Sequence, residues 1–303
     1  MSAGAFKLPT TFEMAVSPDQ AYVAAVGQSV IVTEVNSRKR LGKWHPFSHP
    51  SHASFSRSSS LVAVKSTSGE IVVFGIHEQN IRARHRPKDN DEGTAIYFAP
   101  NDQSLVDASW SGHIRVRRTV DLQVTAEFVF SDEMITAVSS NRSRDTWLFL
   151  HQPKTADDEN FASPSYLTVW NWPLVKPLHR ITFGLDSIDA AAISPCGERI
   201  ALVGYSRRKK IAELCVTTVD GRELVTREMA LKGSCGVRWA GDGKLLGVFH
   251  SKGTFALDST SLDTRLSCEM QYPSDIAFID ADHTMLVAAG NSVQMFSLRS
   301  EDV

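Results

Sequence analysis

Cysteine is scarce in this sequence, with four thiols in 303 residues, and so is net charge, with 32 basic against 34 acidic side chains. Cys196, Cys215, Cys235 and Cys268 form no Cys-x-x-Cys pair. This argues against a disulfide framework and against a cysteine-ligated zinc site, and it predicts buried thiols in a reducing, cytoplasmic compartment. A formal net charge of −2 removes any global pull toward nucleic acid. No apolar run approaches transmembrane length. The first residues, Met1 to Pro9, lack the apolar core of a signal peptide. Catalytic signatures are missing as well: no Gly-x-Ser-x-Gly, no His-Glu-x-x-His and no phosphate-cradling glycine loop. Long amphipathic helical periodicity is also missing.

What is present is a repeat. The phrase Ile193-Ser194-Pro195-Cys196-Gly197-Glu198-Arg199-Ile200-Ala201-Leu202-Val203 reads as a strand, a tight turn and a second strand. Echoes of it begin at Ser17, Ser56, Ala99, Ser139, Ala240 and Ile279. Together with Ser194 these lie roughly 40–55 residues apart, the spacing of a solenoid, propeller or array. Each repeat divides into short extended segments separated by turn residues. In the second they are His52–Ser56, Leu61–Ser66, Glu70–Ile76 and Ile81–His85. Hydrophobic residues at 42% and charged residues at 22% fit an ordinary globular chain that buries a large core.

The seventh repeat has three segments, Asp275–Ile279, Met285–Ala289 and Ser292–Leu298, and then ends. Segment Gly4–Leu8, ahead of the first repeat, supplies the missing fourth and closes the ring, which removes an open sheet edge. The pattern predicts an all-β, seven-bladed β-propeller of four-stranded antiparallel blades, closed by pairing the N-terminal strand into the last blade. It predicts one domain over residues 1–303, with an insertion at 152–165 in the fourth blade. Along the innermost strands an apolar column (Val16, Phe55, Phe98, Val138, Ile193, Trp239, Phe278) stands beside a mostly small one (Ala15, Ser54, Tyr97, Ala137, Ala192, Arg238, Ala277). Tyr97 and Arg238 break the small column and are expected to line the channel or a wider gap.

The Ser-Pro-Asp/Cys-Gly phrase, its period and the offset closure resemble the WD-repeat family of β-propellers. Turn hairpins such as Ser111-Gly112-His113 and the stretch Leu167-Thr168-Val169-Trp170-Asn171 add to the resemblance. It covers nearly the whole chain and bears on fold rather than on function. It implies that the loops between second and third strands share one face with the connections between blades.

That face would carry Trp110, His113, Phe161, Tyr205, Arg207, Arg208, His250 and Lys252 as partner-binding residues. Tyr, Trp and Arg are the usual anchors of protein interfaces. The expected function is a non-enzymatic scaffold for one or more protein partners, with no cofactor. The alternative is a propeller hydrolase or lyase with a site at the channel mouth, possibly metal-dependent, since propeller enzymes gather residues from many blades. The basic run Arg207–Lys210 admits a nucleic-acid or phosphoinositide ligand, but a solvated turn is the simpler reading. His45, His49 and His52 have metal-ligand chemistry. With no carboxylate or cysteine beside them in sequence, they are expected to form a solvated loop.

Overall fold

The computed structural model describes residues 2–7, 11–88, 91, 93–154, 165–279 and 283–298. Among these residues the strands form seven four-stranded antiparallel sheets. Six sheets take their strands in chain order. Their innermost strands are Thr11–Val16, Pro50–Phe55, Gly93–Phe98, Glu133–Ser140, Ser187–Ile193 and Gly236–Trp239. In the seventh sheet Pro273–Ile279 is innermost, and Ser2–Lys7 pairs with Ser292–Ser297 as the outer strand. The innermost strands of successive sheets touch one another all the way round. The result is a closed ring of seven blades, sealed between the first and last strands.

Sequence dictates where each strand lies in its blade. Middle strands such as Ile71–Gly75 (Ile-Val-Val-Phe-Gly) are buried along their whole length, because neighbouring blades cover both faces and β-branched residues fill that space. Outer strands such as Val124–Val129 and Thr264–Glu269 stay exposed or half-buried. Between blades 2 and 3 the packing is charged. The Asp107 carboxylate takes Lys65 on one oxygen and Arg117 Nε on the other at 2.6 Å, and all three side chains are almost fully buried. Burial works to raise the Asp107 pKa, but Lys65 and Arg117 outweigh it and hold the group below its ordinary value.

The repeated phrase has a physical reason. Its serine turns the chain and then caps it: Ser17, Ser56 and Ser194 Oγ accept the amides of Tyr22, Leu61 and Arg199 at 2.9–3.0 Å. Three residues further on the chain enters the left-handed region, at Gln20 (φ 59°), Ser59 (55°), Asp102 (55°), Gly197 (81°) and Gly243 (74°). In blade 4 the turn begins at Asn141 rather than at Ser139. Asn141 Oδ1 accepts the amides of Asp145 and Thr146 at 3.0 and 3.1 Å, and Arg144 takes the left-handed corner at φ 61°. The inner strand there is eight residues long rather than the six of blades 1 to 3, which moves the turn two positions along. The cysteines also differ from expectation: Cys215 is buried, Cys235 and Cys268 are half-buried, and Cys196 is exposed.

Ser2–Lys7 is the outer strand that completes blade 7. Deleting residues 1–9 should leave Ser292–Ser297 as an open edge. The expected outcome is a melting temperature several degrees lower and concentration-dependent light scattering. Unchanged melting and solubility would refute the role of this strand.

Candidate functional site

Alternate residues of an innermost strand turn their amides away from the second strand, toward the axial channel. Side chains from adjacent blades satisfy several of these groups. Asp275 Oδ2 accepts Met14 N–H at 2.8 Å, His52 Nδ1 accepts Ile96 N–H at 3.2 Å, and Ser139 Oγ accepts Ile193 N–H at 3.2 Å. Tyr97 OH donates to the Val138 carbonyl at 3.2 Å and Trp239 Nε1–H to that of Ala192 at 3.0 Å. Ion pairs bridge the two remaining junctions: His52 Nε2 to Glu13 Oε1 at 3.0 Å, and Arg238 Nη2 to Asp275 Oδ1 at 3.3 Å. All seven junctions therefore carry an axial bridge.

The charged members form an arc over blades 6, 7, 1, 2 and 3: Arg238, Asp275, Glu13, His52 and Tyr97. Blades 4 and 5 offer Ala137 and Ala190 at the level of Glu13 and His52. Asp275 is 1% exposed, and burial raises its pKa against the opposing pull of Arg238. His52 Nδ1 accepts the Ile96 amide proton, which leaves Nε2 as the nitrogen that donates to Glu13. The imidazole edge meets the Tyr97 ring, with centroids 4.7 Å apart. Sequence reasoning flagged Tyr97 and Arg238, gave His52 to the loop before it, and missed Glu13 and Asp275. They stand two residues upstream of the small column, and extending the alignment that far would have exposed them.

His52 is therefore not part of a histidine loop. It lies on the inner strand of blade 2, while His45 and His49 are exposed on the preceding connection. The carboxylate missing beside these histidines in sequence arrives from blade 1. His52→Gln, which can both accept and donate, should keep most of the stability. His52→Leu strands Ile96 N–H and Glu13 and should cost on the order of 2–3 kcal/mol in denaturant melts. Equal losses in the two variants would contradict this reading.

Blade 4 holds a second buried relay. Trp170 Nε1–H donates to Thr168 Oγ1 at 2.9 Å, His151 Nε2 meets the same oxygen at 2.8 Å, and His151 Nδ1 faces Glu133 Oε2 at 3.0 Å. Tyr166 OH also bonds Glu133, and its ring stacks on His151 at 4.5 Å. The order Thr–His–Glu has the form of a nucleophilic triad, but Thr168 is 2% exposed and its oxygen is already claimed by an indole donor. The relay fastens the blade. Burial pushes the His151 pKa down to about 4 against the pull of Glu133. The unfolded chain binds this proton near 6.5, so the stability it confers is complete above that pH and is lost as pH falls toward 4. His151→Gln should flatten melting temperature against pH in this window. His85 and His250, whose pKa values burial also lowers, add slope of the same sign.

The strand order puts the second-to-third loops and the inter-blade connections at one end of the ring, here the loop end, and the inner-strand turns at the other, the turn end. At the loop end Trp110 is 43% exposed, and Tyr205, Arg207, Arg208 and Lys252 are exposed. His113 is tied to Glu127, which also binds Arg115 Nε at 2.7 Å. Lys209 of the basic run pairs with Glu213 at 2.6 Å. His250 is buried, its ring parallel to Phe255, and it lines a cavity of about 830 Å³ together with Lys252 and Tyr272. Phe161 lies outside the described residues. Sequence reasoning missed Phe12 and Tyr272, which are 55% and 74% exposed. The four exposed aromatic rings among the described residues, Phe12, Trp110, Tyr205 and Tyr272, all sit at the loop end. The exposed large side chains of the turn end and its flank, such as Val120, Val175 and Leu224, are aliphatic.

The chain is a seven-bladed β-propeller. No family model matches it, and no curated protein does. Among solved structures it is similar to Kuenenia stuttgartiensis hydrazine synthase, at 14% identity and a TM-score of 0.78, over 98% of this chain and 97% of that one. In all, 1792 solved chains match, and so wide a match marks a common architecture rather than an activity.

Proposed function

We propose that this chain is a non-enzymatic binding platform, related at a distance to the WD-repeat propellers, that takes a protein partner on its loop end. The observation that carries this reading is the segregation of exposed rings. Phe12, Trp110, Tyr205 and Tyr272 share one end with the basic turn Arg207–Lys210 and a cavity of about 830 Å³. Exposed aromatic side chains beside arginines are the usual make-up of interface anchors. The turns at the opposite end repeat one structural solution from blade to blade and have no such variety.

The axial arc is what a hydrolase or lyase reading would rest on. Three of its five groups are already committed to the fold. Both oxygens of Asp275 and both nitrogens of His52 have protein partners, and the Tyr97 hydroxyl donates to a carbonyl. A general base or acid needs a free position within reach of substrate. The likeness to hydrazine synthase, at this identity, is one of fold and brings no activity with it.

The test is partner capture from the native host followed by kinetics on the purified pair. Trp110→Ala should raise the dissociation rate, because losing a buried anchor typically costs about 2 kcal/mol or more, roughly thirtyfold in affinity. Arg207→Glu with Arg208→Glu should slow association and weaken its salt dependence. Binding that survives both changes, yet is lost in folded variants of Asp19, Asn101 and Asp242, would move the interface to the turn end.

A further inference from the structure

The turn end of the axial channel holds a second feature, independent of the loop-end reading. A cavity of about 260 Å³ opens there. Its apolar wall is Val16, Trp239 and Phe278, from blades 1, 6 and 7. Arg238 also lines it, from the inner strand of blade 6, and so does Arg142, from the first turn of blade 4. The ring thus sends a blade-4 side chain to a cavity otherwise built by blades 6, 7 and 1.

The charges at this mouth do not cancel. Arg142 is exposed, with its main-chain amide fixed on the Pro195 carbonyl at 3.1 Å. Arg238 is 40% exposed, and its ion pair with Asp275 uses one Nη2 contact at 3.3 Å out of five guanidinium donors. Arg144, from the same turn as Arg142, spreads over the carbonyls of Phe55 and Phe98 at 2.7 and 3.2 Å and also feels the Asp102 carboxylate, so its charge is met within the turn end. The nearby carboxylates, Asp275 and Glu13, are held by Arg238 and His52. Among the described residues, the two guanidinium groups that line the cavity, Arg142 and Arg238, therefore have between them the single Arg238–Asp275 ion pair.

We propose that this cavity binds a small monocarboxylate with an aromatic or branched aliphatic body. The carboxylate sits between Arg142 and Arg238, and the body lies against Val16, Trp239 and Phe278. Guanidinium geometry suits a carboxylate, which it can grip with two parallel bonds. The volume equals about nine waters at roughly 30 Å³ each, room for a ligand the size of an acylated amino acid. Such a group could arrive as a free acid or as the C-terminal residue of a peptide; both present the same chemistry.

Calorimetric titration of the full chain with N-acetylphenylalanine tests this, with its carboxamide, inorganic phosphate and a tripeptide ending in free phenylalanine as parallel probes. The acid should bind at least tenfold more tightly than the amide or phosphate. Arg142→Gln, at an exposed position that should leave melting unchanged, should weaken the acid at least tenfold, and Arg142→Lys should restore part of the loss. Trp110→Ala should leave this binding as it was, so failure here and failure of the loop-end reading are distinguishable. Tripeptide binding as tight as the acid's would assign the site to chain termini, and binding of the acid alone would assign it to a free small molecule. Equal binding of acid and amide, equal binding of phosphate, an unaffected Arg142→Gln variant, or no binding of the acid would overturn the proposal.

Discussion

Each blade of this ring must end somewhere near the axis, and its innermost strand then has no further strand to pair with. A row of free amides and carbonyls in a narrow channel is costly if water cannot serve them and invites pairing if it can. The protein meets this constraint by letting each blade supply polar atoms to its neighbour. Asp275 serves Met14, His52 serves Ile96, Ser139 serves Ile193, and Tyr97 serves Val138. The bonds that quiet one strand's edge also fix the angle to the next blade. Closure at the periphery, through Ser2–Lys7, and closure at the axis are two answers to the same edge problem.

The axial solution is uneven around the ring, and this shapes what the channel offers. From blade 6 through blade 7 to blade 3 the bridging groups are long or charged, and at blades 4 and 5 the corresponding residues are alanine and serine. Long side chains reaching inward from one arc need short ones opposite, or the channel would be overfilled. Blade 4 compensates from its turn, where Arg142 and Arg144 reach over the mouth instead. Arg144 does so from a left-handed corner that blades 5 and 6 give to glycine, a backbone cost of roughly 1–2 kcal/mol for a residue with a Cβ. Its two carbonyl bonds to blades 2 and 3 are what that strain is spent on.

Much of the architecture was legible because the turn chemistry repeats. Ser17, Ser56 and Ser194 are read directly, since a hydroxyl capping the amide five residues on demands that residue type. Counting segments placed the N-terminal strand in blade 7, since the seventh repeat had three and Gly4–Leu8 had no other place. Blade 4 was misread by two residues because Asn141 does the serine's work with an amide oxygen, and Ser139, close by, suggested the wrong register. The binding face was only partly legible. Trp110 stands in a hairpin turn and Tyr205 next to the basic run at a strand end, and both were found, whereas Phe12 sits near the start of an inner strand with no turn signal beside it. It is exposed because a bulge between Thr11 and Glu13 shifts the register there.

That bulge is not confined to blade 1. The same register shift falls at Pro50/His52, Gly93/Ala95, Ile135/Ala137, Ile188/Ala190 and Pro273/Asp275. A bulge adds one residue and sharpens the local twist, so these six inner strands bend just before the level at which Glu13, His52 and Asp275 project, while the short strand of blade 6 runs without one. The inserted residue has no partner on the second strand, which is how Phe12 and Asp189 come to be exposed while Thr11 and Ile188 beside them stay buried. Side chains on the far side carry the axial bridges. In blades 1 and 5 the bulge thus separates an exposed side chain at the loop end from the residues that hold the ring together. A reading by strict alternation would mix the two sets.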